Sequence, residues 1–288
     1  MNSTLTRLPG NTVAIKLVVP WAEIKPAYDK ILEHLVGEIE LPGFRKGKAP
    51  RDLALKQIDQ TRLLEETLKQ VIPDFYAQLV REHQLQPIVS PQLRVAKGAV
   101  NEEFEFEIKV AETPKVELGD YQKVVADLKT KKNTKIWTPG ADQPKEKKVE
   151  EVTVGELLDA LYGVIKVELS ELLVESEVNR LLSNLVADLE KLGLTVSQYL
   201  ETQHKTVEQV RGEYGENAKK TLSLEFSLEA IADREKVTVE AAEVEEVINR
   251  AKTPEEKAAL TKERYYLGGL LRRQKTLAHL LRPSIVQS

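Results

Sequence analysis

A chain of 288 residues has room for about two domains, each able to bury its own core. Its 41% apolar and 31% charged residues fit an ordered but heavily charged protein, and a net charge of −4 argues against a dedicated, uniformly basic nucleic-acid binder. The absence of cysteine excludes disulfides, thiolate nucleophiles and thiolate metal sites.

Met1 to Gly10 carries one Arg and lacks the apolar segment of a signal peptide. No stretch reaches the roughly 18 consecutive apolar residues of a membrane span. The expectation is a cytoplasmic protein without a membrane partner. Residues 1–115 read as one α/β domain. Val13, Ile15, Leu17 and Val19 alternate with Thr12, Ala14, Lys16 and Val18, the period of a half-buried strand. Ile24, Tyr28, Ile31, Leu32 and Leu35 then share one helical face. Asp52 to Gln84 reads as mostly helical, with Pro73 expected to kink or interrupt it. Two strands, Pro87 to Ala96 and one carrying Phe104, Phe106, Ile108 and Val110, close the domain. Glu103, Glu105, Glu107 and Lys109 take the other side of that last strand, as a solvated face rather than an acid–base site.

Residues 116–150 read as a lysine-rich, mobile linker. Lys129, Lys131, Lys132, Lys135, Lys145, Lys147 and Lys148 far outnumber the nearby acids, and Pro139, Gly140 and Pro144 interrupt the stretch. Residues 151–288 read as successive helices. Leu157, Leu158, Leu161 and Ile165 form one stripe. Val174, Val178, Leu181, Leu182, Leu185, Leu189 and Leu192 form the next, which Gly193 can close with a left-handed cap. Thr206 to Gln209 has capping-box form, opening a helix with Val207, Val210, Tyr214, Leu222, Leu228 and Ile231. Thr253-Pro254-Glu255-Glu256 opens a final helix expected to run to Leu281, before Pro283.

Catalytic chemistry finds no foothold. His34, His83, His204 and His279 are scattered, without metal-ligand spacing, and no nucleophile or dinucleotide-binding motif occurs. Gly43 to Lys48 is one residue short of a phosphate-binding loop, and Ala49 stands where the hydroxyl belongs. No enzyme, cofactor or metal is expected.

The sharpest local feature is Leu41-Pro-Gly-Phe-Arg-Lys-Gly-Lys-Ala-Pro-Arg51, set between two helical patterns. Arg45, Lys46, Lys48 and Arg51 place four cations in seven residues, with Phe44 beside them. An aromatic next to unneutralised cations suits an anionic, partly apolar partner surface. Spacing alone leaves a docking tip and a plain helix–helix turn, with Phe44 tucked inward, equally open. G-F-R-x-G-K-x-P, however, resembles the ribosome-docking signature of trigger factors. Gly43, Phe44, Arg45, Gly47, Lys48 and Pro50 match its six fixed positions. The resemblance implies that Phe44, Arg45 and Lys46 contact a large-subunit protein beside the exit tunnel, with neighbouring basic residues on ribosomal RNA.

Val167 to Ala251 is similar to the family's C-terminal substrate-binding domain, although Ser170 stands where members often have Pro. The implied fold class is α+β: a ribosome-binding α/β domain with a small antiparallel sheet, then an elongated all-α domain with helical arms. One departure matters. Family members insert an FKBP-like prolyl-isomerase domain of about 100 residues, and only the stretch from Tyr121 to Glu150 is free for it here. The resemblance therefore implies an ATP-independent holdase for nascent polypeptides, without isomerase activity. A prolyl isomerase with an unrecognised catalytic domain and a ribosome-independent helical scaffold are the competing readings. An apolar cradle could also pair two copies off the ribosome.

Overall fold

The computed structural model of the chain describes residues 1–39, 44, 51–133 and 152–282. It divides into two compact units, Met1–Thr113 with Ser170–Leu173, and Pro114–Leu169 with Val174–Ser288. The architecture is α+β, with a four-stranded antiparallel sheet in the first unit and mostly helices in the second.

The sheet runs in the order β1 (Asn2–Leu8), β2 (Thr12–Val19), β4 (Phe104–Ala111), β3 (Gln92–Lys97). Register places Val13 beside Val110, Ile15 beside Ile108, Leu17 beside Phe106 and Val19 beside Phe104. Strand alternation sends all eight side chains to one face, where none is more than 2% exposed. That face is covered by α1 (Trp21–Glu38) and α3 (Gln60–Glu82), through Ile24, Leu79 and the half-buried Leu64, Leu68, Ile72, Phe75 and Tyr76. Trp21 lies edge-on to Tyr28, with ring centroids 5.1 Å apart, and stacks over Phe104. On the opposite face Lys16 Nζ meets Glu105 at 2.8 Å, so the acidic side of β4 is a solvated, partly paired surface.

Three details depart from the sequence reading. Asn2–Leu8 forms a strand that the pattern did not announce, because its mixture of Ser, Thr and Asn with two Leu carries little alternation. Asn11 (φ 50°) and Gly10 (φ 68°) supply the turn into β2. The third strand begins at Gln92 rather than Pro87. Finally, α3 passes through Pro73 without interruption, held by the packing of Ile72, Phe75 and Tyr76 on the sheet. The helical break falls instead at Asp59, after α2 (Arg51–Gln57), where Asp59 Oδ1 accepts from the Thr61 amide at 2.8 Å as an N-cap. Ser170 also belongs to this unit, and its buried hydroxyl accepts from Thr12 Oγ1 at 2.7 Å.

The second unit opens with β5 (Val116–Glu117), paired antiparallel to β6 (Lys166–Val167), and contains α4 (Tyr121–Asn133) and α5 (Val154–Val164). There follow α6 (Glu171–Lys191), α7 (Val196–Gln203), α8 (Val207–Arg234), α9 (Ala241–Asn249), α10 (Pro254–Lys262) and α11 (Arg264–Leu281). Tyr121, Val125, Leu157, Leu161, Leu228, Ile231 and Leu280 bury one another in its main core. The linker reading of residues 116–150 therefore does not hold for 116–133. Tyr121 and Val125 sit one helical turn apart on a face that packs into the core, and Lys129 follows one turn later on the same face. Even Lys129 is half-buried and donates to the Arg282 carbonyl at 2.5 Å. Residues 134–151, including Lys135, Lys145, Lys147 and Lys148, lie outside the described residues.

The helix ends follow local chemistry. Thr153 with Glu156, Thr195 with Gln198 and Thr206 with Gln209 form capping boxes. Gly193 (φ 69°) closes α6, and the Leu194 amide reaches back to the Leu189 carbonyl at 2.9 Å. The helix expected to run unbroken from Pro254 to Leu281 divides at Glu263. The division lets Leu260 and Leu267 both join Val244 and Ile248 in a second cluster. Arg272 with Asp233, Arg273 with Glu225 and Lys275 with Glu243 fasten α11 to α8 and α9.

Glu235, at the end of α8, accepts from Tyr121 Oη at 2.5 Å and from Gln122 Nε2 at 3.0 Å, and His279 Nε2 lies 3.6 Å away. Burial, then the adjoining carboxylate, push the Tyr121 hydroxyl up to about 12, and the Tyr121 bond is the main reason the Glu235 carboxyl is held low.

Two measurements check this packing. Phe106→Ala is expected to destabilise the chain by about 3–5 kcal/mol in denaturant unfolding, because a fully buried ring is removed. Tyr121→Phe is expected to cost about 1–2 kcal/mol at neutral pH, near the lower end for a bond to a charged group, because Glu235 stays partly in water. The folded chain holds the Tyr121 proton more tightly than the unfolded chain does. Its contribution is thus complete below the ordinary tyrosine value of 10.0 and is lost as pH rises through about 12. The gap between wild type and variant should narrow over that window.

Candidate functional site

Helices α1 and α3 fix where the chain between them can emerge. Tyr28 Oη donates to Gln60 Oε1 at 2.9 Å, tying the middle of α1 to the first residue of α3. The Ile39 amide returns to the Leu35 carbonyl at 3.1 Å and ends α1. Between these ends lies a cavity of about 310 Å³, with Leu35, Ile39 and Ile58 as apolar walls and Glu38, Asp59 and Arg62 at its polar edge. Arg62 Nε is held by Glu66 Oε1 at 2.8 Å, within its own helix.

Phe44 follows α1 in the chain and is 43% exposed. The other four phenylalanines are buried or half-buried: Phe104 and Phe106 in the sheet, Phe75 on α3 and Phe226 on α8. A fully buried Phe would contribute about 1.5–3 kcal/mol to folding, and at Phe44 much of that stabilisation is left unused. Leu53, on the first turns of α2, is likewise 44% exposed. Gly43, Arg45, Lys46, Gly47, Lys48 and Pro50 lie outside the described residues, as does the side chain of Arg51. Of the proposed contact residues, the structure thus places Phe44 alone, and places it outward.

A second exposed apolar surface belongs to the other unit. Leu192 is 72% exposed, Leu194 43%, Val196 42% and Val207 59%. They occupy the turns joining α6, α7 and α8, which the Thr195 and Thr206 capping boxes and the left-handed His204 hold in shape. Along α6, Leu182, Val186 and Ala187 line an open groove of about 500 Å³ with Ser183 and Asn179. Tyr265 and Tyr266, where α10 gives way to α11, are 98% and 62% exposed.

The sequence spacing puts Leu192 at the end of an apolar helical stripe that Gly193 closes, and Val207 among the apolar residues of the helix opened by Thr206. Both are at the surface, while Val178, Leu189 and Val210 are buried. The signal was present for Leu192. It directly precedes the glycine that ends the helix, so the 3.6-residue period no longer governs where it points.

Among the described residues no group of three His, Asp or Glu side chains is arranged to hold a metal ion. His83 Nε2 lies 2.9 Å from Ser3 Oγ, and His34 and His279 lie near Glu38 and Glu235. No described helix is long and apolar enough to cross a membrane.

The family model for bacterial trigger factor protein matches residues 1–136, and the model for its C-terminus matches residues 141–272. The chain belongs to the trigger factor family. It is 37% identical over 120 residues to a trigger factor of Mycolicibacterium vanbaalenii, covering 42% of this chain and 25% of that one. It is 35% identical over 121 residues to that of Moorella thermoacetica, covering 42% of this chain and 27% of that one. The chain thus spans about a quarter of the length of these curated relatives. A solved structure, described in connection with promiscuous substrate recognition in folding and assembly activities of the trigger factor chaperone, is similar with a TM-score of 0.61. That similarity covers 98% of this chain and 99% of the other at 17% identity, and so speaks to the trigger-factor fold.

Because Leu192 and Val207 are exposed, replacing both with Ser should leave unfolding free energy within about 0.5 kcal/mol of wild type. Leu189→Ala, three residues from Leu192 but buried, should cost about 2–5 kcal/mol. Denaturant titration of the three proteins compares them directly.

Proposed function

We propose that this trigger-factor chain is a cytoplasmic, ATP-independent chaperone that docks at the ribosomal exit tunnel and holds nascent polypeptide. The reading rests on the outward-facing Phe44 within a signature that matches the family's docking sequence at all six fixed positions. Phe44, Arg45 and Lys46 are assigned to a large-subunit protein at the tunnel exit. Gly43 and Gly47, lacking a side chain, and Pro50, with its fixed ring, would shape the tip, with Lys48 and its neighbours assigned to ribosomal RNA. An aromatic anchor combined with cations gives both contact area and electrostatic steering, so binding should weaken with salt.

Docking would raise the local concentration of the second unit around an emerging chain. Its exposed Leu192, Leu194, Val196 and Val207 and the α6 groove offer apolar surface without a demanding shape. Contacts of that kind are weak and tolerant of sequence, and they release once a client buries its own apolar residues.

The chain is also proposed to work without prolyl-isomerase activity. The two family regions, 1–136 and 141–272, adjoin closely and leave no interval between them for an FKBP-like domain of about 100 residues.

Co-sedimentation with ribosomes at moderate salt tests the docking half. The intact chain should bind saturably, and the triple variant Phe44→Ala, Arg45→Ala, Lys46→Ala should bind at least tenfold more weakly. Equal binding by both would reduce the interaction to nonspecific charge. Turnover of a proline peptide in proportion to added protein would overturn the non-isomerase assignment.

A further inference from the structure

The two edges of the four-stranded sheet are unlike. On β3 the ladder to β4 is disturbed by a bulge between Val95 and Lys97, and Arg94 and Lys97 bring charge to the edge. Bulges and charged side chains are common ways of keeping an edge strand from pairing with another chain. On β1 there is no bulge, and its single charged side chain, near the end of the strand, is paired with Glu112. Its register against β2 runs without a break from Asn2↔Val18 to Leu8↔Thr12. The sequence Asn-Ser-Thr-Leu-Thr-Arg-Leu has no proline and no lysine, and Arg7 is its one charge.

The outer side of β1 is also open. Asn2, Thr4, Thr6, Arg7 and Leu8 are exposed, whereas Ser3 and Leu5 are half-buried. Among the described residues no backbone group outside β2 hydrogen-bonds to the backbone of Asn2–Leu8. Alternate residues of an edge strand turn their N–H and C=O groups away from the neighbouring strand. An unprotected row of such groups, roughly 23 Å long for seven residues, is a template for one more strand.

We propose that the outer edge of β1 takes up an extended segment of unfolded client polypeptide as a fifth strand of this sheet. This deepens the chaperone reading and rests on it. An extended backbone is the ligand that fits, since its own amides and carbonyls repeat every two residues, as those of the edge do. Helical or folded chains have those groups already paired. Ser3, Thr4 and Thr6 are small and uncharged, so the edge imposes little on the side chains opposite. Backbone pairing would thereby supply a contact indifferent to client sequence, beside the apolar contacts of the other unit.

A second copy of this chain is the rival occupant. Pairing β1 with β1 would set Ser, Thr and Asn against their equals, burying little apolar surface to offset the cost of bringing two folded molecules together. A client already held elsewhere on the same molecule avoids most of that cost.

Hydrogen exchange on the full chain tests the proposal, with a reduced and carboxymethylated polypeptide as a permanently unfolded probe. Saturating probe should slow exchange several-fold at alternate amides of Asn2–Leu8 and leave Gln92–Lys97 unchanged. Proline at Thr6 or at Arg7 supplies the control. The two amides point to opposite edges, so one variant loses a bond to β2, and the other keeps the wild-type unfolding midpoint while losing an outward donor. That stable variant should show the β1 slowing abolished and bind the probe about three- to tenfold more weakly.

Probe binding that slows exchange in residues 182–207 but not in β1 overturns this inference and leaves the chaperone reading standing. Failure to bind the probe at all overturns both. Slowing of β1 that grows with protein concentration without probe assigns the edge to a second copy instead.

Discussion

The pairing of β2 with β4 is the contact on which the first unit depends. Eight apolar side chains from the two strands form one continuous buried face, and register sets them directly beside one another. A face of that size cannot remain in water, and α1 and α3 cover it. Once both helices lie on the sheet, their ends are no longer free. The chain leaving α1 must emerge beside the start of α3, where Tyr28 bonds to Gln60 and Asp59 caps the helix. Phe44 is exposed and is not part of that core. The exposed Phe44 and the buried face of the sheet are thus separate features of this unit.

The second unit solves a different problem. Its helices pack into a core around Tyr121, Leu161 and Ile231 and a smaller cluster around Val244 and Leu267. Away from these clusters, capping boxes and the Gly193 turn hold the ends of α6, α7 and α8 by local hydrogen bonds. Helix ends stabilised in this manner need less tertiary burial. Leucine and valine can therefore remain at the surface there without loss of order, a condition that a chaperone surface must meet.

How legible each part was follows from the length scale of the forces involved. The alternation in β2 and β4, the Thr206 capping box and the Gly193 cap rest on neighbours within a few residues, and the sequence displays them. The exposure of Phe44, left open by spacing alone, is likewise a local matter, within a short run between two helices. Features decided by distant contacts were not legible. Asn2–Leu8 becomes a strand because β2 offers it an edge, and α3 continues through Pro73 because the sheet holds both sides of it. Tyr121 to Asn133 is read together with the lysine-rich stretch from Lys129 onward, which masks the short apolar stripe that buries Tyr121 and Val125. The exposure of Leu192 and Val207 depends on what lies opposite them in space, which spacing along a helix cannot express.

The claim at the centre of this account is that the tip carrying Phe44 meets the ribosome while the opposite side of the same unit does not. Site-specific photocrosslinking tests it most directly, with a photoreactive side chain at position 44 in one protein and at position 107, on the solvated face of β4, in another. The account predicts a discrete crosslink from position 44 to a protein of the large subunit, competed by unlabelled chain, and none from position 107. Crosslinks of equal yield from both positions, or ribosome binding with no crosslink from position 44, would contradict it.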